Sequence, residues 1–110
     1  MAESMYLGKP VIATAYSGNL EFMNHENAYL IPYKEVIVSD DEYPHAINQV
    51  WADANIQEAA TAMRILFNNA ELRDDLGARA RTYMQEHHSF EVVGAAIAKR
   101  LDKIKYLLSQ

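Results

Sequence analysis

Four residues near the start of the chain, Glu3, Ser17, Gly18 and Asn19, have the types and the spacing to bind a ligand. A carboxylate near the start of a helix accepts hydrogen bonds from two adjacent sugar hydroxyls at once, and its charge shortens and strengthens them. Glu3 stands at such a place. Ser17-Gly18-Asn19 directly follows the stretch Val11 to Tyr16, where a glycine lets a phosphate or sugar come close to the backbone N–H groups at the next helix start. Backbone torsion alone is an equal reason for Gly18, and both readings stand. Glu21 reads as a first-turn acid that complements a helix dipole, with no catalytic role.

Other reactive types do not assemble. His25, His45, His87 and His88 invite a metal reading, but neighbours on a helix project about 100° apart, and no Asp or His follows at the spacing that completes a ligand set. Histidines at a helix end, beside its dipole, are the expected reading, with no metal. There is no cysteine, and no serine stands in a recognisable frame with a histidine, so no nucleophile emerges. Tyr16, Tyr33, Tyr43 and Trp51 gather around the strand ends and the loop that follows. They are expected to anchor the loop rather than to stack on a base or sugar. Lys9 is read as a surface charge.

The elements that must position these residues follow from local chemistry. Gly8 falls where a helix would stop in a left-handed residue, and Pro10 prevents it from resuming. Val11-Ile12-Ala13-Thr14 is short, apolar and β-branched, which suits a strand covered on both faces. A helix, a strand and a Gly-bearing turn into a helical segment at Asn19–Met23 is the grammar of an open parallel α/β sheet, whose ligands sit beyond the carboxyl ends of the strands. Ala28 to Pro32 is the second short strand, reached by a connection long enough for a parallel crossover. Tyr33 to Trp51 is the least regular stretch, with a brief strand at Val36-Ile37-Val38 and an acidic, turn-prone run from Ser39 to Pro44.

From Asn55 onward the pattern is helical. Asn55 and Glu58 form a capping-box-like start, and Ile56, Ala59, Ala60, Met63, Leu66 and Phe67 repeat at helical spacing, which predicts a buried face. Asn69 caps the next helix, whose stripe is Leu72, Leu76, Ala80, Tyr83 and Met84. Ser89 opens a third, lined by Phe90, Val93, Ile97, Leu101, Ile104 and Leu108. The chain reads as a single partial domain, with a strand-and-loop part over 1–52 and a helical part over 53–110.

The wording of the opening goes further. Ala2-Glu3-Ser4-Met5, then Leu7-Gly8-Lys9-Pro10-Val11-Ile12-Ala13-Thr14, then Ser17-Gly18-Asn19-Leu20-Glu21-Phe22 closely resembles the nucleotide-sugar-binding domain of retaining glycosyltransferases with the GT-B fold. The resemblance is specific over these residues and weaker, though consistent, beyond them. It implies a partial Rossmann-like domain with two short parallel strands and three long C-terminal helices, the last crossing back toward the enzyme's other domain. In that family a pair of glutamates brackets a Gly-rich loop. Glu3 matches the second, which bonds the donor's ribose, and the first would lie ahead of Met1. The implied activity of the intact enzyme is transfer of a hexose from a nucleoside diphosphate sugar to a hydroxyl acceptor, without a divalent metal. The resemblance implies that this part alone is inactive and binds nucleotide weakly or not at all. The alternative reading is a stand-alone helical module that self-associates without catalysis.

Bulk composition narrows the remaining classes. The chain has 110 residues, half of them hydrophobic, which fits one folded domain. A net charge of −5 leaves no Lys/Arg stripe to neutralise phosphates, so a nucleic-acid partner is not expected. Lys99, Arg100, Lys103 and Lys105 gather late but are interrupted by Asp102, as on a solvated helix face. No apolar stretch approaches the ~20 residues of a membrane span, and the first residues do not read as a signal peptide. A cytoplasmic protein is expected, with homo-oligomerisation of the fragment through strand edges and peripheral membrane association of the intact enzyme both left open.

Overall fold

The computed structural model describes residues 1–110. The opening helix α1 (Ala2–Tyr6) stops where the chemistry requires. Gly8 takes φ +73°, its N–H donates to the Met5 carbonyl at 2.9 Å, and the Lys9 N–H donates to that of Ser4 at 2.8 Å. The turn delivers the chain into β1 (Ile12–Thr14), which begins one residue later than the expected Val11–Thr14 run. β1 pairs in parallel with β2 (Tyr29–Ile31), with Ile12 opposite Tyr29 and Thr14 opposite Ile31. Between them lies a 3-10 turn, Ser17–Glu21, shifted two residues toward the N-terminus from the expected Asn19–Met23. Asn27 holds the entry to β2. Its buried side chain accepts from the Asn24 N–H at 2.7 Å and donates to the Phe22 carbonyl at 3.1 Å, so neither polar end is left unpaired.

The next stretch departs from the sequence reading. Tyr33–Ile37 forms β3 and Val50–Ala54 forms β4, an antiparallel ribbon in which Val36 faces Trp51. The expected brief strand at residues 36–38 is thus longer and earlier. β4 runs through the expected boundary between the strand-and-loop part and the helical part. It went unread because Ala52, Asp53 and Ala54 carry little strand signal of their own; pairing with β3 supplies what propensity does not. The ribbon forms a sheet separate from β1 and β2.

Three helices follow, α2 (Ile56–Asn68), α3 (Ala70–His87) and α4 (Phe90–Leu108). Each begins at the cap its sequence names. Asn55 Oδ1 accepts from the Glu58 N–H at 3.1 Å, Asn69 Oδ1 from that of Leu72 at 2.9 Å, and Ser89 Oγ from that of Val92 at 3.3 Å. Asn69 works on both sides of its corner, because its own N–H closes α2 on the Ile65 carbonyl at 3.0 Å. Arg73 covers the neighbouring carbonyls of Leu66 and Phe67 at 3.2 and 3.3 Å. Replacing Asn69→Ala should therefore lower the unfolding free energy by about 1 kcal/mol. A urea midpoint that falls with an unchanged slope would report it.

The core is small and lies under the opening motif. Met5, Val11, Met23, Ala28, Ala80 and Met84 form one cluster, with Ala2, Ala13, Phe22, Leu30 and Tyr83 half-buried around it. The α3 stripe is buried or half-buried as expected, and Gly77 lets α3 pass hard against the turn after α1. A Cβ on Gly77 would run into the Gly8 carbonyl oxygen and stand 3.0 Å from its carbon.

The other two stripes are corrected. On α2 the buried residues are Ala62 and Leu66, while Ile56, Met63 and Phe67 are exposed, Phe67 by 81%. Contact with β1, β2 and α3 turns the helix onto its Ala62–Leu66 edge. The expected stripe was centred elsewhere because the apolar surface of α2 is wider than the face its neighbours cover. On α4 the expected stripe exists but nothing buries it: Phe90 is 91% and Leu108 82% exposed.

The molecule is accordingly a thin slab of 57 × 43 × 16 Å. Its radius of gyration is 18.5 Å, against about 13 Å for a compact chain of this length. Its accessible surface is 8362 Å², against about 6,200 Å² for a folded monomer of this mass. The architecture is mixed α/β, with two short parallel strands and long C-terminal helices. Much of its apolar surface has no partner within the chain.

Candidate functional site

The carboxyl end of β1 opens directly into Ala15–Asn19. Asn19 ties that end down. Its Nδ2 donates to the Thr14 carbonyl at 2.9 Å and lies 3.6 Å from the Met23 sulfur. The Asn19 side chain thus has a structural duty at the tip of β1, and its Oδ1 remains as an acceptor. Ser17 is exposed and takes φ +65°, a left-handed conformation that costs a serine on the order of 1 kcal/mol. Gly18, beside it, is exposed, has no left-handed torsion, and has open space where a side chain would stand. The reading of Gly18 as a torsional requirement is therefore corrected. The left-handed torsion falls one residue earlier, on Ser17, a shift that no residue type announces.

Glu3 lies in the first turn of α1, with its side chain 91% exposed. A hydrogen bond from its own backbone, and then the nearby N-terminal ammonium at 3.6 Å, hold its carboxyl below the usual range. The carboxylate stands on the rim of a hollow of about 430 Å³ between α1, the end of α3 and the start of α4. Tyr6, Leu7, Met84, His88 and Phe90 make that hollow largely apolar. Ser17, Gly18 and Asn19 do not line it. Three of the four candidate residues are exposed and Asn19 is half-buried, and they are divided between a hollow at Glu3 and an open loop at the tip of β1.

Tyr16 and Tyr33 serve the scaffold as expected, and Tyr43 does not. Tyr16 and Tyr33 meet edge to face with ring centroids 4.9 Å apart, which anchors the Ser17 loop to β3. Trp51 pairs across the ribbon with Val36, and Tyr43 is exposed on the β3–β4 connection. His87 lies in the last turn of α3, where its ring centroid is 4.6 Å from that of Tyr83. His88 caps the helix and packs against Tyr83 and Phe22. No three His, Cys, Asp or Glu side chains stand close enough together to hold a metal ion. What the surface offers chemically is a carboxylate acceptor, a serine hydroxyl, an unhindered glycine and an amide oxygen. These groups can bind hydroxyls and phosphate oxygens.

No protein-family model matches the chain, and no curated protein or solved structure matches it either. No helix is long and apolar enough to cross a membrane.

Proposed function

We propose that this chain is the C-terminal part of the nucleotide-sugar-binding domain of a retaining GT-B glycosyltransferase. The intact enzyme transfers a hexose from a nucleoside diphosphate sugar to a hydroxyl acceptor. What carries the reading is the parallel pairing of β1 with β2 on either side of the Ser17-Gly18-Asn19 loop. It follows directly on a motif whose helix stops at a left-handed Gly8. In this reading Glu3 accepts from the donor's ribose hydroxyls. The Ser17 loop takes the phosphates or the sugar at the strand tips, where doubly wound sheets bind such groups. The unhindered Gly18 suits close approach of a ligand to the backbone. The remaining donor contacts, including the cations that balance the diphosphate without a metal, come from outside these residues.

The 110-residue chain is accordingly expected to show no turnover of sugar nucleotides with hydroxyl acceptors. Release of nucleoside diphosphate that depended on both chain and acceptor would contradict the reading. A second reading, a self-associating helical module without catalysis, is favoured by one observation, the uncovered face of α4. A module of that kind would leave Glu3 and Ser17–Asn19 undisturbed by any nucleotide.

A further inference from the structure

The exposed stripe of α4 is nearly palindromic. Phe90, Val93, Ile97, Leu101, Ile104 and Leu108 fall almost symmetrically about position 99. Turning a second helix end for end places Phe90 opposite Leu108, Val93 opposite Ile104 and Ile97 opposite Leu101. A two-fold interface demands this kind of self-complementarity, since each patch must meet itself reversed. From these features we infer that α4 is the dimer interface of this chain, paired antiparallel with α4 of a second copy.

Charge selects the antiparallel sense. The charges divide between the two halves of the helix. Glu91 is the charged residue of the first half, while Lys99, Arg100, Lys103 and Lys105 outweigh Asp102 in the second. A parallel pair would bring Arg100 and Lys105, the cations that flank the stripe, together across the interface. An antiparallel pair brings Glu91 alongside Lys105 of the other copy, twice by symmetry. Lys105 is free to change partners, because its contact with Asp102 spans 3.8 Å between side chains that are each 78% exposed.

The available area is sufficient. The chain as a whole exposes about 2,200 Å² more than a compact monomer of its mass, and a standard stable interface needs about 600–1,000 Å² from each copy. The interface shares Phe90 with the hollow at Glu3, but the inference stands on the α4 stripe and not on the nucleotide reading. It names the surface that the self-associating module would use.

Sedimentation of the 110-residue chain over a range of micromolar concentrations tests it. The expected result is a dimer of twice the 12.5 kDa chain mass. Leu101→Glu, at an exposed position outside the core, should leave the helical circular dichroism of the other elements in place and give a monomer. Glu91→Lys and Lys105→Glu should each weaken the dimer several-fold, and the two combined should restore it. A monomer throughout the concentration range, or a dimer indifferent to Leu101→Glu, would overturn the inference. Failure of the double variant to recover would overturn the antiparallel pairing. Because nucleotide binding at Glu3 is read by a separate titration, either idea can fail without the other.

Discussion

Gly77→Ala is expected to destabilise the protein by about 3 kcal/mol, at the upper end of what overpacking by a single methyl costs. The added carbon would meet the backbone of Gly8 rather than a flexible side chain. That backbone cannot retreat cheaply, because the left-handed turn at Gly8 sets the path from α1 into β1. Gly94→Ala is the internal control. It also removes a helical glycine, but into open space, so it should stabilise by about 0.5–1 kcal/mol through the lost backbone entropy alone. Urea unfolding of both variants at one fixed protein concentration compares them. Similar effects in the two would mean that α3 does not rest against the turn as described.

Met5→Ala should cost a similar amount, about 3 kcal/mol, for a different reason. Met5 is 0% exposed and is the largest fully buried side chain in the molecule. It ties α1 to α3 through the same cluster that contains Val11 of the opening motif and Met84. Truncation loses transfer free energy and leaves a cavity. With 15 of 110 residues buried, few other contacts remain to absorb the loss. The far-UV signal of Met5→Ala should therefore melt well below that of the parent chain. Met5→Leu, nearly equal in volume, should lose less than about 1.5 kcal/mol. Equal melting of the two variants would place the core elsewhere.

The parts of the fold legible in the sequence were those with a local cause. Gly8 and Pro10 announced the end of α1, and Asn55, Asn69 and Ser89 each named a helix start that the hydrogen bonds then occupy. The α3 stripe was legible because its neighbours bury its centre, at Leu76, Ala80 and Met84, and half-bury its edges. Long-range effects were not legible. β4 exists because β3 pairs with it, and the side of α2 that is buried depends on where β1, β2 and α3 happen to lie. The α4 stripe was read correctly as a stripe, but periodicity says that a face is apolar and not what covers it. At the candidate site the residues stood out by type and motif. The left-handed Ser17 and the work done by the Asn19 amide at the tip of β1 did not, because both depend on how the loop closes.

The most direct measurement is a titration of the nitrogen-15-labelled chain with uridine, guanosine and adenosine diphosphates, followed at each backbone amide. One of the three nucleotides is expected to move the amides of Glu3, Ser17, Gly18 and Asn19 in the millimolar range, with the response lost in Glu3→Gln. If a nucleotide's response survived Glu3→Gln unchanged, or mapped instead to the polar hollow between Asn24 and Glu86, the assignment of this chain to a nucleotide-sugar-binding domain would be wrong.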